Sequence, residues 1–244
     1  MSPDGGRAFV ERFALAGGLV VLFIVGYFGV GLATDPARAR ELGTALDRAI
    51  PFVPASIWIY LWVFPADLIP VFVVRCPRLY RRTIVAYAIA MVVSYVIFAA
   101  FPVTSLGLRA DPATLDPSRP SEWAVLLLYS IDPPFNLFPS MHLSIATLAA
   151  FSAWTADRRY GAATFFGVAL VGISITTVKQ HFIVDGIAGF ALGALVYALL
   201  IRPHRPVPGY RPAFGWRGVA LYAALLVAAY AGMLAWWSWS TSPV

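Results

Sequence analysis

Charge is scarce in this chain: Asp, Glu, Lys and Arg together make up 12% of its 244 residues, where a soluble domain carries about 25%. Beside that deficit stand 60% hydrophobic residues, too few polar groups to cover a water-facing surface, and a soluble globular fold is excluded. Cysteine occurs once, as Cys76, so no internal disulfide can form and the residue reads as packing. Lysine also occurs once, as Lys179, and histidine three times, as His142, His181 and His204. The net charge of +6 invites a nucleic-acid reading, but the 17 arginines are scattered through short loops and build no basic face. No nucleic-acid partner is expected.

What the chain has in abundance is long apolar runs. Seven can be marked, near 13-33, 52-74, 83-101, 140-156, 161-178, 183-201 and 217-239. Each is close to the roughly 20 residues that carry a helix across a ~30 Å hydrocarbon core. Backbone groups in lipid must satisfy one another, which makes every run helical. The predicted fold is all-α: a polytopic membrane bundle of about seven transmembrane helices, one integral membrane domain over 1-244. The first run follows Arg7 and Arg12 but exceeds the ~7–15-residue core of a signal peptide, and reads as a retained anchor.

Alternate loops differ in charge. The side holding the N-terminus, 75-82, 157-160 and 202-217 carries 12 arginines, and the other side carries six lysine and arginine residues. By the positive-inside rule the N-terminus is cytoplasmic, the loops holding Arg109, His142 and Lys179 are extracytoplasmic or lumenal, and Trp236, Trp237 and Trp239 anchor at the outer interface. The longest connection, 102-139, contains seven prolines and an apolar stretch from Trp123 to Ile131, too short to span and suited to a lid. Asp67 lies inside the second run between Pro65 and Pro70. An acid there is a functional candidate or the partner of an arginine such as Arg75 or Arg78. Gly189 and Gly193 form a GxxxG in the sixth run, which predicts close helix packing.

Ionisable groups concentrate at one further place, Lys179-Gln180-His181-Phe182-Ile183-Val184-Asp185. Four residues apart on a helix, His181 and Asp185 would share a face, the carboxylate holding one imidazole nitrogen and leaving the other free. Phe138-Pro139-Ser140-Met141-His142 opens the fourth run on the same membrane face. Ser140 there starts a helix, whose unpaired amides and positive dipole end suit a phosphate. Lys179 and Arg109 could supply cations to its oxygens. A zinc site of two histidines and an aspartate is the competing reading. A cation two residues from a metal-ligating histidine opposes it but suits a bound phosphate.

Pro139-Ser140-Met141-His142 and His181-Phe182-Ile183-Val184-Asp185 resemble the paired Pro-Ser-x-His and His-x-x-x-Asp motifs of the type-2 phosphatidic acid phosphatase superfamily. The likeness spans roughly 83-201. The superfamily's lysine six residues before Arg-Pro is missing, Ile175 stands where an arginine is usual, and Met141 replaces the common glycine. These departures are similar to the inositol phosphorylceramide synthase-like branch. The resemblance implies a six-helix core, with 217-239 as an additional C-terminal helix. It also implies His181 as nucleophile, Asp185 as its orienter and His142 as general acid, with no metal or other cofactor. Ser140, Lys179 and Arg109 are then the expected phosphate ligands. The expected substrate is a phospholipid or polyprenyl phosphate, the acceptor water or a polyol such as inositol. A non-catalytic lipid-binding or transport protein stays open as an alternative.

Overall fold

The computed structural model describes residues 3–205, 207 and 211–242. The chain folds as a polytopic helical bundle, with no β-strand among the described residues. Five helical segments are long and apolar enough to cross a membrane: Val10–Ala33, Pro77–Ala100, Arg158–Thr177, Ile183–Ile201 and Trp216–Ser240. The first comprises most of α1 (Pro3–Phe23), a π-helical turn (Ile24–Phe28) and α2 (Gly29–Ala33).

The second and fourth apolar runs depart from simple spans. After the short α3 (Ala45–Ala49), run two becomes α4 (Ile57–Leu61), α5 (Val63–Ala66) and α6 (Ile69–Val73). Pro65 and Pro70 remove two amide donors from it, so one continuous ladder cannot form. After α7 (Pro77–Ala100) and α8 (Pro120–Ile131), run four forms the 16-residue α9 (Met141–Ala156), the hub of the bundle. Its sequence has no polar face. Ala146, Ala149, Ala150 and Ala153 are each 0% exposed, small enough to let neighbouring helices close in on every side. It packs against α7, α10 (Arg158–Thr177) and α11 (Ile183–Val196). The C-terminal α12 (Trp216–Ser240) lies at the edge of the bundle, held to α6 and α8.

Hydrogen bonds define the two ends of the bundle. At one end Val53 N–H donates to Thr177 O, Ser140 N–H to Asp185 O, and Tyr129 OH to Val178 O. At the other, Phe214 N–H donates to Val73 O and Arg82 to Leu200 O. Both sequence motifs therefore sit at one end, as their alternation along the chain requires.

The GxxxG pair packs as predicted. A Cβ on Gly189 would overlap the Ser140 carbonyl oxygen, and one on Gly193 would lie 2.6 Å from Ser144 O. Gly189→Ala should thus force α11 off α9 and cost about 1–3 kcal/mol, typical of overpacking. A lowered midpoint of thermal unfolding in detergent, with Gly232→Ala unchanged because nothing lies within 4 Å of it, checks this.

Candidate active site

Two helix starts and one helix end build the site. Ser140 caps α9, its Oγ accepting from the Leu143 amide at 3.4 Å, and its own amide donates to Asp185 O at 2.9 Å. The two motifs are thereby tied backbone to backbone. His142 follows in the first turn. Across the site, α10 ends in a reversed turn: Gln180 N–H bonds to Ile175 O, and Lys179 N–H to Thr176 O. That closure needs a left-handed residue, usually glycine. Here it is Lys179, with φ 60°. Its ammonium donates to Asp47 O at 2.9 Å and Ile50 O at 2.5 Å, anchoring the side chain on the C-terminal end of α3. The turn sends Gln180 and His181 inward, where they are 1% and 2% exposed.

The histidines meet. His142 Nδ1 lies 3.1 Å from His181 Nε2, and His142 Nε2 lies 3.2 Å from Tyr60 OH. The Phe64 ring stands edge-on to His142, with centroids 5.8 Å apart. On the far side His181 Nδ1 is 3.4 Å from Asp185 Oδ2. The contact falls outside hydrogen-bonding geometry: Asp185 Oδ2 accepts the Phe182 amide at 2.9 Å, and His181 Nδ1 and Asp185 Oδ1 are both buried without a hydrogen-bond partner. The pairing is not the one expected from four-residue spacing on a helix. The helix α11 begins at Ile183, so His181 precedes it, and Asp185 folds back over the helix start as a cap.

Carboxylates take two amides of that start. Asp185 takes the Phe182 amide and Asp47 Oδ1 takes the Ile183 amide at 2.7 Å. Burial pushes the Asp47 carboxyl up, but the bonds from Thr44 and Ile183 outweigh it and hold the group below its ordinary value. Those two amides of α11 are therefore occupied by carboxylates. Of the expected cationic ligands, Lys179 is turned onto carbonyls, because a buried ammonium needs acceptors. Burial lowers its pKa, with Asp47 opposing.

Arg109 is also bonded to carbonyls. Its Nη1 and Nη2 donate to Tyr129 O and Asp132 O, each at 3.0 Å, rather than pairing with Asp111, and it stacks 4.7 Å over the Tyr129 ring. Its Nε is buried without a partner. Burial pulls the guanidinium below its ordinary pKa, against the attraction of Asp132.

Sequence reasoning missed Asp132. It terminates α8, accepts from Tyr27 OH at 2.7 Å and from Gln180 Nε2, and lies close enough to feel the charges of His181 and Arg109. Burial pushes its carboxyl up, and those partners work against the rise. An acid ending an apolar stretch before Pro133-Pro134 was the available signal. Tyr27 had none: the π-helical turn re-aims it inward, and Asn136 Nδ2 caps its carbonyl at 2.7 Å. The candidate lid is a 12-residue helix, α8, packed through Ala124, Val125 and Leu128 against Ile57 and Tyr60.

Among the described residues Asp67 has no arginine partner. No salt bridge joins it to one among the described residues, and its Oδ1 is buried without a hydrogen bond. Nor do the described residues contain a cluster of three His, Cys, Asp or Glu side chains able to hold a metal ion.

No curated protein and no solved structure matches the chain. A family model described as the PAP2 superfamily matches residues 42–199, which include both histidine motifs, α8 and Arg109. With well over half of its length matched, the chain belongs to the PAP2 superfamily.

Proposed function

We propose that the protein is a membrane lipid-phosphate phosphatase or phosphotransferase that works through a phosphohistidine. Membership of a superfamily of phosphatases supports the reaction class. The observation that carries the finer reading is the buried line Asp185–His181–His142, with separations of 3.4 and 3.1 Å. We assign the proton to Nδ1, the nitrogen that faces the Asp185 carboxylate at 3.4 Å, which leaves Nε2 of His181 as nucleophile. Its lone pair forms an N–P bond as the P–O bond to the lipid alcohol breaks, and His142 delivers a proton to the departing oxygen. Water, or an alcohol, then attacks phosphorus, returns a proton to His142 and frees His181.

Attack requires phosphorus about 3–3.5 Å from Nε2, and the leaving oxygen beyond it about 2.6–3.2 Å from the acid. Facing nitrogens 3.1 Å apart cannot satisfy both, so a phosphoryl group binds by parting them. Arg109, with a free buried Nε, is the cation we assign to the phosphoryl oxygens. Ser140 and Lys179 position the two motifs.

The acceptor is tested by partitioning. With a lysophosphatidic acid donor and no added alcohol, purified protein should release inorganic phosphate. Turnover only when inositol or another polyol is supplied would replace the phosphatase by a transferase. The packing of α8 over Tyr60 favours that second reading, since transfer needs water kept from the intermediate.

The charge asymmetry supports an extracytoplasmic or lumenal site. A cysteine at exposed Ser118 in a Cys76→Ser background should therefore react with an impermeant thiol reagent in intact cells. Labelling that requires permeabilised cells would invert the topology.

A further inference from the structure

Below the histidine pair, between α1, α5–α6, α7 and α9, lies a cavity of about 230 Å³. A buried water takes about 30 Å³, so this space suits a hydrocarbon segment rather than one solvent molecule. Its walls are mostly apolar, including Leu19, Phe23, Met91 and Ile145, and His142 forms part of its lining. The polar side chains of α7 along it are spoken for: Thr83 bonds to Leu79 O and Ser152, Tyr80 to Arg12 O, and Tyr87 to Asp67 O. Asp67 is the exception. It lines the cavity with Oδ1 buried and unpartnered.

Tyr60, Phe64 and Asp67 follow one another on one face of the broken second run, and the first two touch His142. At 1.5 Å per residue, Asp67 lies about 5 Å beyond Phe64 along that axis. If His142 protonates the leaving oxygen, the rest of the leaving alcohol extends into the space His142 lines.

We infer that this cavity holds the lipid alcohol released from the donor, and that Asp67 accepts a hydrogen bond from a hydroxyl or amide N–H a few bonds from its ester oxygen. The inference rests on the proposed role of His142 as the leaving-group acid. A buried acceptor without a partner is rare in native structures, and such a ligand supplies the missing donor. Apolar walls accommodate the chain, and the single acceptor selects lipids that carry a donor near the head.

Binding of the alcohol alone tests this without turnover. Affinities of the full-length protein in nanodiscs are measured by calorimetry for three probes of equal chain length. These are a monoacylglycerol, its analogue lacking the second hydroxyl, and an N-acyl aminopropanol. The expected result is at least about tenfold tighter binding of the hydroxyl or amide probe than of the analogue. The stronger of the two identifies the donor. Asp67→Leu should bring the three within twofold, and Asp67→Asn, which keeps a carbonyl acceptor, should retain the preference. Equal wild-type affinities, no binding of any probe, or an undiminished preference in Asp67→Leu would each overturn the proposal. If the leucine variant does not fold, the wild-type comparison still decides. A failed phosphatase assay leaves these binding results unaltered, so the two readings fail separately.

Discussion

His181→Ala should lose at least about 10⁴-fold in turnover, in keeping with removal of a covalent nucleophile. The expectation follows from geometry on both sides of the ring. Nδ1 faces Asp185 at 3.4 Å and Nε2 faces His142 at 3.1 Å, which leaves no other nucleophile in the line. With a ³²P-labelled lipid phosphate, rapid quenching of wild-type protein should trap an acid-labile, base-stable phosphoenzyme, and the alanine variant should trap none. Wild-type turnover should persist in EDTA. Substantial activity of His181→Ala, or loss of wild-type activity in EDTA that zinc restores, would end the phosphohistidine mechanism.

A second large effect belongs to His142, and it depends on what leaves. An alkoxide is a poor leaving group, so for a lipid phosphate monoester His142→Ala should lower kcat by about 10²–10⁴, the usual worth of a general acid. A nitrophenolate departs without a proton. For nitrophenyl phosphate the same substitution should cost less than about tenfold. Equal losses on both substrates would mean that His142 serves to hold His181 in place through the 3.1 Å contact and does not protonate the leaving group. Tyr60→Phe, which removes the hydroxyl from His142 Nε2, separates orientation from proton supply, since it deletes a partner of the ring and leaves the ring itself.

Much of this site was legible before any coordinates. His142, His181 and Asp185 stand out because lipid makes ionisable residues expensive, so those retained at helix starts draw notice. Gly189 and Gly193 were legible for a related reason: without a hydrophobic drive between helices, small residues mark where backbones touch. The helical pairing of His181 with Asp185 was not. Spacing of four is compatible with a shared face, but the amide demands of a new helix start moved Asp185 into a cap and left His181 ahead of it.

Lys179 illustrates the harder limit. As the only lysine, two residues from His181, it looked like a phosphate ligand. Its ammonium instead completes α3, 132 and 129 residues away in sequence, through the Asp47 and Ile50 carbonyls. Asp132 was passed over for the converse reason, because its importance comes from Tyr27, Gln180 and Arg109 converging on it from three separate segments.

By itself, then, the amino-acid sequence determined that the chain is a helical membrane protein and which histidine motifs open its helices. Bilayer thickness sets the length of each run, and backbone satisfaction in lipid permits only helices. The tertiary structure alone decided which polar side chains face one another. Buried polar atoms take whatever partners the packed bundle brings within reach, and here those partners lie on loops far apart in sequence. The break at Pro65 and Pro70 that turns Asp67 into the cavity beside His142 is of the same kind. Local rules foresee an interrupted helix, and only the packing of α1, α7 and α9 around it makes a pocket.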